Sequence, residues 1–252
     1  MRIVVRYKTF WENNLEKKWN LEWNYNDHLK YVPDFCTEQE IKQFWIADQA
    51  KFNTYDGELL LLTKFTIDEI NESIIFHVGN MNFSTLRYLI SKNYPFSSVG
   101  RVLGVQCMIY NPLTQKILIG KRSLDSIYCP GIYTLPGGML EKGDLKNTPI
   151  KAFLREIIEE INLTINPSFK LLAFLQEQYD RSLIVLFTSN FNENNEKDLS
   201  KYQPIARGEE WENDLFWISI EDLQKIKSEK LMEGLSYLKD QYIRVKSILL
   251  DQ

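Results

Sequence analysis

The segment TPIKAFLREIIEEI, from Thr148 to Ile161, constrains this chain more than any other stretch. Thr148 offers a capping hydroxyl and Pro149 follows where a helix needs no N–H, so a helix starts here. At about 100° per residue, Ile150, Phe153, Leu154, Ile157, Ile158 and Ile161 share one broad apolar face, which needs a core to lie against. Glu156, Glu159 and Glu160 fall at i, i+3 and i+4 on a narrow neighbouring strip, flanked by Arg155. Like charges at this spacing repel by roughly 0.2–0.5 kcal/mol per exposed pair. Partial burial raises that penalty and the carboxyl pKa values with it. A divalent cation reverses the argument, because hard oxygen ligands suit Mg2+ or Mn2+. For the helix taken alone, a solvated acidic face is the plain alternative.

The preceding residues narrow the choice. PGIYTLPGG, from Pro130 to Gly138, places proline and glycine where a backbone turns tightly and approaches something closely. A glycine-rich loop that enters a helix presents backbone N–H groups to phosphate. Gly137 and Gly138 are therefore candidate substrate contacts, and Glu156, Glu159 and Glu160 candidate metal ligands.

Elsewhere, RIVVRY (Arg2 to Tyr7), ELLLLTKF (Glu58 to Phe65) and SIIFHVG (Ser73 to Gly79) read as strands. TEQE (Thr37 to Glu40) has capping-box spacing and predicts a helix to about Phe52. Asn82 can cap another helix. KNYPFSS (Lys92 to Ser98) reads as a linker. RVLGVQCMIY (Arg101 to Tyr110) and KILIGKR (Lys116 to Arg122) form a strand and its return across an NPLTQ turn. FKLLAFLQEQYD and RSLIVLFTSNF predict a hairpin turning near Asp180 and Arg181, followed by a polar loop from Asn192 to Ser200. LFWISI (Leu215 to Ile220) is a strand, Glu221 starts a helix, and a last amphipathic helix is predicted from Glu229 to about Leu250. Hairpin-linked strands mixed with helices favour an α+β fold. Residues 1–98 read as a smaller N-terminal α+β lobe, a substrate cap or dimerisation surface, and 99–252 as the main domain.

The chain has 252 residues and a net charge of -4, with no basic surplus to track nucleic-acid phosphates. Cys36, Cys107 and Cys129 are odd in number and far apart, which argues against a zinc site or a disulfide framework. No apolar run approaches a membrane span, and the N-terminus has no cleavable-leader pattern. A cytoplasmic setting is the expectation.

The loop and helix together resemble the Nudix hydrolase signature, G-x5-E-x7-R-E-U-x-E-E-x-G-U, where U is apolar. Gly138 matches its first glycine. Arg155, Glu156, Ile157, Glu159, Glu160 and Leu163 match its second half without a gap. Three positions depart from it. Asp144 stands for the first glutamate, ten residues (Leu145 to Leu154) precede Arg155 instead of seven, and Asn162 replaces the last glycine. The insertion precedes Thr148, so it belongs to the loop, and the helical glutamates stay in register. Asparagine tolerates the left-handed conformation of a helix-ending glycine.

The resemblance implies a Nudix-type α/β/α sandwich with a mixed sheet over 99–252, and hydrolysis of a nucleoside diphosphate linked to another group. It implies Mg2+ (or Mn2+) on Glu156, Glu159 and Glu160. Arg155 would orient a glutamate, and the general base would be Glu159 or an acid of ARGEEWEND (Ala206 to Asp214), Glu210 among them. Trp211 is a candidate base-stacking residue, with a rim or core tryptophan as its alternative. Arg87, Lys121, Arg122 and Arg181 are candidate phosphate contacts. KFNTYDGELLLLTKF and HVGNMNFSTLRYLISKN look loosely like the branch that hydrolyses UDP-glucose and UDP-galactose, whose box also carries an insertion. The expected substrate is thus a small nucleotide conjugate. ADP-ribose, a dinucleotide or a capped RNA is the alternative within the family, and a non-catalytic nucleotide-binding module the alternative outside enzymes. Membrane association is not expected, and a homodimer remains open.

Overall fold

Leucine-rich and β-branched runs become strands of one mixed sheet. The computed structural model describes residues 7–12, 18–31, 36–52, 55–93, 101–112, 114–124, 126, 129–161, 165–177, 182–191, 215–244 and 247; for residues 7, 8, 10–12, 27–30, 52, 160, 161, 165–169, 177, 190 and 191 it describes the backbone alone. The strands are β1 (Tyr7–Glu12), β2 (Asn20–Lys30), β3 (Glu58–Asp68), β4 (Ser73–Asn82), β5 (Arg101–Asn111), β6 (Lys116–Lys121), β7 (Tyr133–Thr134), β8 (Ile165–Glu177), β9 (Leu183–Phe191) and β10 (Phe216–Ser219). They run in the order β1-β8-β9-β5-β3-β4-β2, and β6 pairs with β5, β7 and β10. The pairs β2–β4 and β5–β9 are parallel and the others antiparallel.

Period-two alternation sorts the strand residues between the faces. Leu60 and Leu62 of β3 and Leu103, Val105, Cys107 and Ile109 of β5 join one core. Helix α3 (Pro149–Ile161) lies on that core through Ala152, Phe153 and Ile157. Leu59 and Leu61 face the other way, onto α2 (Phe83–Ser91), which α1 (Glu38–Phe52) braces through Trp45–Phe83 and Phe44–Tyr88 edge contacts. Met108 and Tyr110 also face away from α3, toward α4 (Ile220–Lys225) and α5 (Glu233–Asp240). The fold is α+β, helices covering both faces of a mixed sheet, as the sequence predicts.

Several local signals form as read. Thr37 Oγ accepts the Glu40 N–H at 3.2 Å and the Glu40 carboxylate accepts the Thr37 N–H at 2.7 Å, closing the capping box of α1. Other expectations are corrected. Asn82 occupies the cap of α2 without a side-chain cap bond; Asp56 Oδ1 accepts the Ser84 N–H at 2.8 Å instead. Ile158, assigned to the apolar face, is 44% exposed, and the small Ala152 is buried in the core. The last helix starts at Glu233, not Glu229, because the Met232 N–H donates to the Tyr133 carbonyl at 2.9 Å and ties that stretch to β7. In the aromatic and amide-rich N-terminal stretch, β1 and β2 form where composition alone shows no pattern. Pairing with β8 and β4 holds them there. Arg2–Arg6, the turn at Asp180 and Arg181, the loop 192–200 and the stretch beyond 247 lie outside the described residues.

The expected boundary at 98 also falls outside them. On either side the sheet is continuous, since β3 pairs with β5 through Leu61–Val102 and Leu62–Arg101. One core cluster holds Leu21, Leu60 and Phe76 together with Val105, Phe153 and Phe174.

Candidate active site

β3 and β5 diverge beyond their short pairing, and the segment Pro136–Glu141 fills the gap. On one side Val105 N–H donates to Gly138 and Cys107 N–H to Pro136, each at 2.9 Å. Leu140 N–H returns to Leu103 at 2.9 Å. On the other side Leu60 N–H donates to the Leu140 carbonyl at 2.7 Å, and Leu59 bridges Glu141. A loop by composition is thus held on both edges by strands.

Here the glycines are needed for contact with the chain itself. A Cβ at Gly137 would lie 2.0 Å from the Val105 carbonyl oxygen, and one at Gly138 would lie 2.4 Å from Glu156 Oε2. At Gly137 the clash is with backbone, so only glycine fits; at Gly138 a side chain would displace the Glu156 carboxylate, which lies against the loop there.

A short 3-10 turn, Lys142–Lys146, follows and carries Asp144, whose side chain is 2% exposed. Asp144 Oδ2 accepts the Glu141 N–H at 2.8 Å. Asp144 also accepts two hydrogen bonds from Arg155, from Nε at 2.7 Å and Nη2 at 2.8 Å. Arg155 donates further from Nη1 to Glu159 at 2.6 Å and from Nη2 to Glu156. The guanidinium therefore clamps three carboxylates rather than the one glutamate expected from sequence. Burial works to lower its pKa, but Glu156, Asp144 and Glu159 raise it on balance. Burial pushes the Glu156 carboxyl up to about 7; Arg155 opposes that, and Asp144 and Glu159 add to it.

Glu156 and Glu159 share this site with Arg155 and Gly138, as the sequence pattern required. The Glu160 side chain, Arg181, Glu210 and Trp211 lie outside the described residues. Arg87 does not join the site. Its guanidinium is committed to Asp48, through Nε at 2.7 Å and Nη2 at 3.0 Å, in a pair only about a tenth exposed that ties α2 to α1. Arg122 donates to Ser126 Oγ from Nε at 3.1 Å and Nη2 at 2.9 Å, and Lys121 ends β6 opposite Tyr133. Tyr55 and Glu141, which sequence reading did not single out, do approach: the Tyr55 hydroxyl donates to Glu141. No periodic signal marks either one.

A divalent cation fits the donor chemistry. The Glu156 carboxylate is 13% exposed and faces a glycine that leaves it room. Among the described residues no group of three His, Cys, Asp or Glu side chains is gathered about one metal position. The third expected ligand, Glu160, is not part of that description.

A model of the NUDIX domain family matches residues 100–237, more than half of the chain. The chain belongs to the Nudix family. It is accordingly a pyrophosphohydrolase. Nudix hydrolases use divalent metals and act on small nucleotide substrates. Among solved structures, DR0079 from Deinococcus radiodurans is 19% identical over 56% of this chain and 82% of its own, with a TM-score of 0.40. The MutT protein of Methanosarcina mazei is 16% identical over 58% and 95%, with a TM-score of 0.38. A bifunctional NMN adenylyltransferase/ADP ribose pyrophosphatase from Francisella tularensis is 17% identical over 67% and 47%, with a TM-score of 0.38. A search of curated protein sequences found no match. Among the described residues no helix is long and apolar enough to cross a membrane.

Proposed function

We propose that this Nudix protein hydrolyses the diphosphate bond of a nucleotide sugar such as UDP-glucose, releasing a nucleoside monophosphate and a sugar 1-phosphate. The observation that carries the hydrolytic site is the clamp of Arg155 on Asp144, Glu156 and Glu159 beside Gly138. Glu156, Glu159 and Glu160 would hold Mg2+ or Mn2+. A bound divalent ion supplies charge neutralisation at the diphosphate oxygens and acidifies the attacking water. Water adds to one phosphorus, the bridging P–O bond breaks toward the other phosphate, and a carboxylate takes the proton. Glu159, 48% exposed, is the acceptor in this reading, with Glu210 as its alternative. Arg155 keeps Glu156 and Glu159 apart from one another's charge and fixed in direction. Positioning and neutralisation are most of what phosphoryl chemistry asks of a protein.

The nucleotide-sugar assignment rests on the resemblance of the N-terminal stretches and of the inserted box. A cleft of about 550 Å3, lined by Tyr25, Glu58, Glu141, Lys142 and Lys146, shares Glu141 with the site. Its size suits a small ligand. The test is turnover of a panel of nucleotide conjugates with and without Mg2+ or Mn2+. Release of sugar 1-phosphate from UDP-sugars is the expected result. Turnover of ADP-ribose, dinucleotides or capped RNA with none of UDP-sugars would overturn the substrate. Glu160→Gln should cut turnover sharply in a protein that still folds, and wild-type turnover in that variant would sink the metal assignment.

A further inference from the structure

We propose that Tyr55 is a positioning residue for this site, acting through Glu141 on the turn that carries Asp144. The inference rests on the metal-site reading above and extends it to a residue outside the matched segment 100–237.

The backbone around Tyr55 is fixed from three sides. Asp56 caps α2 through the Ser84 N–H at 2.8 Å. The Gly57 carbonyl accepts the Phe83 N–H at 2.9 Å. From Leu59 onward β3 is bonded to the Leu140–Glu141 segment. Gly57 leaves the space this needs, since a Cβ there would sit 3.0 Å from Tyr55 Cε2 and 3.1 Å from Glu141 Oε1. The residue is 67% exposed, so burial of the ring does not explain its placement. Its hydroxyl is the anchored end, donating to Glu141.

From Glu141 the connection continues through its backbone. The Asp144 N–H donates to the Glu141 carbonyl at 3.0 Å, and Asp144 Oδ2 accepts the Glu141 N–H at 2.8 Å, so residue 141 holds the turn by both of its backbone groups. Asp144 holds Arg155 with two hydrogen bonds, and Arg155 holds Glu156 and Glu159. Groups that orient metal ligands from behind typically change metal affinity by about 10- to 100-fold when removed. Tyr55 stands at the far end of such a chain, so its removal should register near the lower figure.

The experiment is a Mn2+ titration followed by electron paramagnetic resonance on the full chain. It compares wild type, Tyr55→Phe, Glu141→Gln and the double variant, with steady-state kinetics on each. Tyr55→Phe keeps the ring and should keep the thermal midpoint. It should weaken Mn2+ binding about tenfold and lower kcat with KM unchanged. The double variant should be no weaker than Glu141→Gln alone, because both changes cut the same chain. Wild-type Mn2+ affinity and kcat in Tyr55→Phe would overturn the proposal, as would fully additive losses in the double variant. If wild type itself bound no Mn2+, the metal reading would fall and this inference with it, an outcome distinct from a defect absent in Tyr55→Phe alone.

Discussion

Asp144 is one methylene shorter than the glutamate of the signature, yet it reaches Arg155 with both oxygens. A 3-10 turn over Lys142–Lys146 carries Asp144, and the additional residues follow it before Arg155. At the same scale, Glu156 makes a pH prediction. Its folded pKa of about 7 lies above the ordinary 4.5. Between those values the folded state keeps a proton that the unfolded state has released. Its contribution is fully present below the unfolded pKa and is lost as pH rises through the folded one. Urea unfolding of metal-free protein in EDTA should show stability falling from pH 4.5 toward 7 on this account. Glu156→Gln should flatten that fall, and an unchanged slope in the variant would refute the assignment.

Among the elements, α3 was the most legible. Its cap, its period and its acidic strip are all set within a few turns, and Phe153 and Ile157 are buried as its period demands. Ile158 shows the limit of that reading, since an angular sector says nothing about where the neighbouring core ends. The α1 capping box was legible for the same local reason. Arg87 was not. A cation four residues into a helix that starts after an asparagine carries no mark of the Asp48 partner it meets across 39 positions. Asp48→Ala should leave a nearly buried guanidinium without that acceptor and cost about 3 kcal/mol of stability, with KM for the substrate unchanged. Calorimetry and kinetics on the one variant check both halves, and a raised KM would return Arg87 to the substrate.

For the molecule as a whole, β3 is the element that matters most outside the matched segment. It continues the sheet from β5, contributes Leu60 and Leu62 to the core under α3, and holds the outer edge of the Pro136–Glu141 segment. Residues 99–252 produced alone would lose those partners together with Ile74, Phe76 and Val78. We expect that fragment to unfold without a sharp transition and to bind a hydrophobic dye. A cooperative thermal transition in the fragment would show that the first 98 residues are dispensable for the core.

The sequence by itself determined the α+β class, the start and register of α3, the strands β3 to β6 and β8 to β10 and the family, because each of these rests on spacing, periodicity or a contiguous motif. Tertiary structure alone decided that a proline–glycine loop is wedged between two strands. It alone decided that its glycines meet Val105 and Glu156, that Arg155 gathers Asp144 with two glutamates, and that Tyr55 reaches Glu141 across 86 positions. Those are contacts between residues far apart in the chain. Nothing in local propensity encodes them, and they exist only once the sheet has brought β3 and β5 to either side of the loop.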